Sequence, residues 1–379
     1  MNTSRSEFMV ALMQELVVNS NNWYGSENWD HERFGSYKGS FKGATLNKLN
    51  KLLSGKAAIV PVDADGYLIQ SIGKIKNSLE GLAASYDLLA DDYSKSTLVK
   101  VLAYRLMGPR KVKLPLSTDA YWSIRERTRS LIKGSDTIGV NFPKLNLNRL
   151  NLEKIGYPIE LYFAPGGVMV TFILKQYEYG KSKPQIKAQN GDYVIDAGGC
   201  WGDTALYFAH TVGPEGKVYC FEFVAENLKI LQRNLDLNAE LARRIELVLQ
   251  PVWEESGEVV EFSANGPGTS LTGKPSDTNR LNFAQVSTIA IDDLVKERNI
   301  PRVDFIKMDI EGAELSALKG AEECLRRFRP RLAISVYHRE NDLIEIPNYL
   351  NNLGLGYKFF LDHFTIYGEE TILFATSGN

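Results

Sequence analysis

After residue 190 the chain alternates short apolar runs with amphipathic stretches: YVIDAG then TALYFAH, KVYCFEF then ENLKILQRNL, IELVLQPVW, VDFIKMD then ELSALKGAEECL, and RLAISVY. Near-continuous apolar runs suit strands buried on both faces, and helical stretches between them suit crossovers. The alternation therefore predicts a parallel sheet with helices on both faces. In open sheets of this kind ligands bind beyond the carboxyl ends of the strands, so the residues closing each run are where chemistry is sought. The chain ends with YKFFLDHF and TILFATS, which read as an antiparallel terminal hairpin joined by a glycine-containing loop.

The first of these strands runs into a D-x-G-x-x-x-G turn, YVIDAGGCWGDT, before the next helical pattern. Asp196 can accept hydrogen bonds at the strand end, Gly198 turns without a Cβ, Gly202 permits close backbone approach, and Thr204 opens the helix. The spacing is not the dinucleotide G-x-G-x-x-G, and a glycine turn can be purely steric. About 20 residues beyond Gly202 the run KVYCFEF closes on Glu222, the position from which a carboxylate reaches ribose hydroxyls. In combination these residues favour S-adenosyl-L-methionine over NAD. Gln250 and Trp253, just past IELVL, are candidates for adenine contacts through a hydrogen bond and aromatic packing.

These residues, with VDFIKMDIEGAELSALKGAE and RPRLAISVYH, resemble the FkbM family of S-adenosylmethionine-dependent methyltransferases over roughly residues 185 to 379. The most specific piece is IKMDIEGAE, Ile306 to Glu314. Phe223 departs from the family pattern, in which proline often follows the acidic residue. The resemblance implies a class I methyltransferase, Rossmann-like α/β sheet with a terminal antiparallel hairpin. It also implies O-methylation of a hydroxyl of a sugar, glycoconjugate or secondary metabolite. An antiparallel last pair fits this sheet better than an NAD-binding one. The rival readings are an NAD-dependent oxidoreductase on a doubly wound sheet and a non-catalytic cofactor-binding or assembly protein.

Methyl transfer from a sulfonium is an in-line displacement, so alignment of the acceptor oxygen is a large part of catalysis, and a sugar hydroxyl also needs a base or a metal. Asp309 closes VDFIKMD beside the strand carrying Asp196 and is the first candidate, for cofactor and for catalysis. His338, after RLAISVY, is suited by its ordinary pKa of about 6.5 to act as general base. His363, in the terminal hairpin, is the second histidine considered. Asp309 and Glu311 offer hard ligands for a divalent ion such as magnesium, with His338 nearby. Glu311 and Glu314 also suit the start of a helix electrostatically.

Residues 1 to 150 read as a mainly helical domain: EFMVALMQELV, ATLNKLNKLL and STLVKVLAYRLMG, the last with a stripe of Leu98, Val101, Leu102 and Leu106 stopped by Gly108 and Pro109. Its roles left open are acceptor binding, homo-oligomerisation or extension of the core, and Trp23, Tyr24, Trp29 and Trp122 could stack on an acceptor or merely pack. Tyr157 to Tyr179 reads as a linking β-hairpin, within residues 151 to 184, turning at Pro165, Gly166 and Gly167. Residues 185 to 379 form the expected methyltransferase domain. The polar stretch NGPGTSLTGKPSDTNRLNFA is long enough to cover a substrate.

A net charge of -2 without a basic tract argues against nucleic acid as partner and leaves a small molecule or glycan acceptor. Cys200, Cys220 and Cys324 lack C-x-x-C spacing, as expected of reduced cytoplasmic thiols. The N-terminal apolar residues are broken by Gln14 and Glu15, so neither a signal peptide nor a membrane span is expected.

Overall fold

The alternating strands assemble into one seven-stranded sheet. The structure is a computed structural model that describes residues 3–37, 73, 76–140, 145–264, 266–271 and 284–378. A polar hairpin, β1 (Ile132–Val140) and β2 (Leu145–Asn151), precedes β3 (Glu160–Phe163), with which β2 pairs antiparallel. The central sheet then takes β4 (Tyr193–Ala197), β5 (Lys217–Phe221) and β6 (Ile245–Val248). A small antiparallel sheet of β7 (Val259–Ser263), β8 (Ser270–Leu271) and β9 (Ala284–Ser287) interrupts them. β10 (Phe305–Met308), β11 (Arg331–Ser335), β12 (Lys358–His363) and β13 (Thr371–Thr376) complete the large sheet, in the order β12-β13-β11-β10-β4-β5-β6.

Strands β4, β5, β6, β10 and β11 pair in parallel, whereas β13 runs antiparallel between β11 and β12. The terminal hairpin expected from the sequence is therefore present. The connection order reverses between β4 and β10, which pair Asp196 with Lys307 and Ala197 with Met308. Such a reversal opens a crevice at the strand ends, because the crossovers leave in opposite directions. Burial explains the composition of these strands: Val194, Ile195, Val218, Phe305, Ile306, Leu332 and Ile334 are all fully buried.

The N-terminal helices add to the same core. The helix Asp92–Met107 is capped by Asp91, whose side chain accepts from the Ser94 N–H, and it ends at Gly108 with φ +76°. Its predicted stripe, Leu98, Val101, Leu102 and Leu106, is buried in one hydrophobic cluster with Phe8, Leu12 and Leu16 of the helix Thr3–Ser20 and with Ile306, Leu332, Leu361 and Leu373 of the sheet. The segment ATLNKLNKLL lies outside the described residues. No helix of the described residues is long and apolar enough to cross a membrane.

The hairpin predicted for Tyr157 to Tyr179 does not form. After β3 the chain enters a helix at Pro165–Val168 that continues as a π-helical turn over Met169–Ile173. Proline at the first helical position is pre-set for this turn, and Val168, Met169 and Phe172 are buried by it. β3 pairs instead with β2, which with β1 falls in the part of the chain expected to be mainly helical. β1 carries no alternating apolar signal because most of it is exposed.

Candidate active site

The carboxyl end of β4 is organised around a buried ion pair. Asp196 is fully buried, with Oδ1 3.0 Å from Lys307 Nζ and Oδ2 accepting from the Thr204 hydroxyl at 2.8 Å. Lys307 also donates to the carbonyls of Ala197, at 3.1 Å, and Gly198, at 2.7 Å. Burial would lower the lysine pKa, but the carboxylates of Asp196 and Asp309 outweigh it and raise the pKa, so the side chain is an ammonium. Asp196 and Thr204, read from sequence as cofactor contacts, are thus internal supports of the turn and do not line the crevice.

That turn runs against the end of β10. Gly198 has φ +90°, and a Cβ there would collide with the Asp309 carbonyl oxygen. Gly202, at φ +87°, is the N-cap of the helix Asp203–Val212 and packs toward Leu231 rather than toward the crevice. The crevice is a narrow cleft whose walls include Gly198, Glu222, Asn227, Val252, Asp309 and Glu311.

Glu222, just beyond β5, is held rigidly. Its Oε1 accepts from the backbone N–H of Phe223 and Val224, both at 2.7 Å, and its Oε2 accepts from Asn227 Nδ2 at 3.1 Å. The Cys200 backbone also bonds this carboxylate, and Glu222 lines the cleft. Gln250 and Trp253 do not line it: Gln250 donates to the Thr288 carbonyl at 3.3 Å, and the Trp253 carbonyl faces Gly320. Pro251 and Val252, between them, form that wall, joined by Pro267, Thr269 and Leu271 of the long polar stretch. Residues 272–283 of that stretch lie outside the described residues. Trp29 packs near Phe34 and Tyr37, Trp122 stacks on His31, and neither Trp23 nor Tyr24 lines the cleft.

Across the cleft mouth the groups following β10 and β11 form an acidic centre. Asp309 accepts from the Tyr337 hydroxyl at 3.0 Å on Oδ1 and from the Tyr177 hydroxyl at 3.1 Å on Oδ2. Burial drives both phenols far above their ordinary pKa, which keeps them neutral donors. Burial alone would raise Asp309, but the His338 and Lys307 charges and its hydrogen bonds hold it below the usual carboxylate range. His338 Nε2 lies 3.4 Å from Asp309 Oδ1 and 3.8 Å from Glu311 Oε2, and Nδ1 lies 2.9 Å from Glu314 Oε1. Burial opposes charging His338, yet the hydrogen bond to Glu314 and the surrounding carboxylates push its pKa up to about 10. In the absence of another cation it is an imidazolium at neutral pH. The neutral general base expected from the sequence is therefore corrected to a cationic partner of Asp309.

His363 is corrected more completely. It is buried within the terminal hairpin, its Nδ1 2.9 Å from the Thr371 hydroxyl and its Nε2 3.2 Å from the Thr365 hydroxyl, and it does not line the cleft. Burial lowers its pKa to about 3, against an ordinary 6.5. Protons then bind the unfolded chain more readily between those values, so this group's stabilisation is present above about pH 6.5 and is lost on acidification through that window. Replacing His363 by glutamine should remove up to about 1.4 kcal/mol of acid sensitivity per pH unit there, read by denaturant titrations at several pH values. Cofactor binding should be unchanged, and its loss would restore His363 to the site.

Several site residues escaped the sequence reading. Lys307 had a signal, a lysine inside an otherwise apolar buried strand. Tyr177 and Glu370 had none, since they arrive from the segment before β4 and from the β12–β13 turn. Burial and the Asp309 charge raise Glu370 to about 8; it accepts from the Gln176 amide, and its Oε2 lies 3.3 Å from the Tyr337 hydroxyl, whose proton goes to Asp309.

Comparison with known proteins agrees with this architecture. Residues 185–359 match the family model described as Methyltransferase FkbM domain. Methyltransferase sdnD of Sordaria araneosa is 25% identical over 191 residues, covering 43% of this chain and 73% of that protein. Methyltransferase 1 of Beauveria bassiana is 25% identical over 172 residues, covering 41% and 68%. A crystal structure of Methyltransferase FkbM from Methylobacillus flagellatus KT shares the fold, with 22% identity and a TM-score of 0.52 over 82% of this chain. The match spans 61% of that longer chain. The matched segment carries the β4 turn, Glu222 and the acidic centre up to His338. Residues 185–359 of this chain match the FkbM methyltransferase domain, and the chain shares a class I methyltransferase fold.

Proposed function

We propose that the protein is an S-adenosyl-L-methionine-dependent O-methyltransferase acting on a hydroxyl of a sugar, glycoconjugate or secondary metabolite. The observation that carries this reading is Glu222. It is a pre-oriented carboxylate that lines the cleft at the point where the strand order reverses. Glu222 would hold the ribose hydroxyls and Gly198 would let the backbone close on the cofactor. Val252, Pro251 and Leu271 supply an apolar wall for the adenine. Bound there, S-adenosylmethionine supplies an electrophilic methyl group on a sulfonium.

Asp309 faces the same cleft and is the carboxylate that would receive the acceptor's hydroxyl proton. Tyr177 and Tyr337 hold its two oxygens in place, so an acceptor hydroxyl meets a fixed partner rather than a mobile one. Gln176 donates to Glu370 behind Asp309, and the Tyr337 hydroxyl lies 3.3 Å from the same Glu370 carboxylate.

Calorimetric titration with S-adenosylhomocysteine, with NAD in parallel, tests the cofactor assignment. Micromolar binding of the first alone is expected, and Glu222→Ala should weaken it about 10- to 100-fold, as loss of hydrogen bonds to a charged group implies. A preference for NAD, or indifference to Glu222→Ala, would sink the reading. Once a screen of glycosylated and hydroxylated compounds supplies an acceptor, Asp309→Asn should lower turnover about 10²- to 10⁴-fold at saturating cofactor.

A further inference from the structure

The two nitrogens of His338 have different surroundings. On the Nδ1 side, Glu314 Oε1 lies 2.9 Å away and is itself held by the Ile310 N–H at 2.9 Å. Glu314 is 1% exposed, so this contact is fixed inside the protein. On the other side Nε2 is buried and has no hydrogen-bond partner, in a side chain only 7% exposed. It points between Asp309 Oδ1, at 3.4 Å, and Glu311 Oε2, at 3.8 Å. Glu311 is presented from a left-handed backbone, φ +54°, followed by Gly312 at φ +93°.

Those separations are long for hydrogen bonds and close to those of ligands sharing an ion. With bonds of about 2.1 Å, neighbouring ligand atoms stand roughly 3.0 to 3.4 Å apart in octahedral or tetrahedral geometry. The Nε2–Asp309 distance already matches, whereas Glu311, at 3.8 Å from Nε2, stands farther out and would have to swing toward an ion held there. The Glu314 contact has the form of an outer carboxylate on a metal-ligating imidazole: Nδ1–H donates to it, which fixes the tautomer and leaves the Nε2 lone pair for the ion. Asp309, Glu314 and His338 also present ligand-type atoms within 4.8 Å of one another. Glu314 nonetheless lies on the Nδ1 side and is engaged by Ile310, so it belongs to the outer layer.

We propose that His338 Nε2, Asp309 and Glu311 bind a divalent first-row transition ion at the mouth of the cleft, with Glu314 as the positioning residue of His338. One imidazole and two carboxylates suit Mn²⁺, Fe²⁺, Co²⁺ or Zn²⁺. Magnesium, the ion considered from sequence, prefers an all-oxygen shell and is poorly served by this donor set. Asp309 and Glu311 both line the cleft, so an ion held here would lie next to the acceptor hydroxyl and lower its pKa. That role rests on the methyltransferase reading, whereas the binding site itself does not.

The test is titration of chelator-stripped protein with Co²⁺ and Mn²⁺, followed by calorimetry, Co²⁺ visible absorption and Mn²⁺ paramagnetic resonance. One equivalent should bind with micromolar or tighter affinity, with millimolar Mg²⁺ failing to displace it. His338→Gln and Asp309→Asn should each weaken binding at least about 100-fold, and Glu314→Gln about 10- to 100-fold with a changed Co²⁺ spectrum. Melting curves establish that the variants are folded. Absence of saturable binding, or binding that survives His338→Gln, overturns the site. S-adenosylhomocysteine affinity is measured on the same samples. Cofactor binding without metal binding rejects the metal site alone, and metal binding without cofactor binding rejects the methyltransferase reading alone.

Discussion

Lys307→Met is expected to destabilise the protein by about 3 to 5 kcal/mol, a large fraction of the roughly 5 to 15 kcal/mol that holds a typical domain folded. Methionine fills nearly the same volume in β10, so the effect isolates the charge. Without the ammonium, the fully buried Asp196 carboxylate keeps only the Thr204 hydroxyl, and the carbonyls of Ala197 and Gly198 lose a donor. An uncompensated buried charge is what makes breaking such a pair so much worse than replacing it whole. The double variant Lys307→Met, Asp196→Leu should therefore recover much of the loss in urea denaturation. Cofactor affinity should stay reduced in both, because Lys307 ties the β4 turn to β10. A change below about 1 kcal/mol in the single variant would mean that the pair does not hold the turn.

Gly198→Ala is expected to abolish S-adenosylhomocysteine binding, by at least about 100-fold, and to destabilise the fold by about 3 kcal/mol or more. Two penalties coincide at this residue. Its φ of +90° is unfavourable for any residue with a Cβ, and the added carbon would meet the Asp309 backbone carbonyl, which no side-chain rotation can relieve. The turn and the end of β10 would separate, moving Gly198 and Asp309, which both line the cleft. Gly202→Ala is the control: its φ is +87°, but its nearest neighbour is Leu231 Cγ at 3.1 Å, a side chain that can yield. It should lose about 1 to 2 kcal/mol and keep most cofactor affinity. Equal effects from the two substitutions would indicate that backbone strain alone, not the Asp309 contact, explains Gly198.

The contrast between Gly198 and Gly202 reflects what a single chain can disclose. Local order was legible where burial on both faces left apolar runs, as in YVIDA, KVYCF and RLAIS, and where caps closed a helix, as Asp91 and Gly108 do. Because strand ends in a parallel sheet share one edge, Glu222 and Asp309 could be assigned to a common cleft before any contact was known. The exposed strand β1 left no such trace, and the Pro165 turn could not announce a helix because its choice depended on burying Val168 and Phe172.

Roles among titratable groups were decided only by the tertiary structure. Sequence placed Asp196 and Asp309 at equivalent strand ends. Packing made one the buried partner of Lys307 and the other a cleft wall held by two phenols. His338 and His363 both followed strands as candidate bases, yet three carboxylates raise the first toward 10, and burial between threonine hydroxyls lowers the second toward 3. The order of strands and the residues at their ends follow from local pattern, which is additive along the chain. Protonation and ligand capacity depend on charges and desolvation from segments far apart in sequence, and those meet only when the chain is folded.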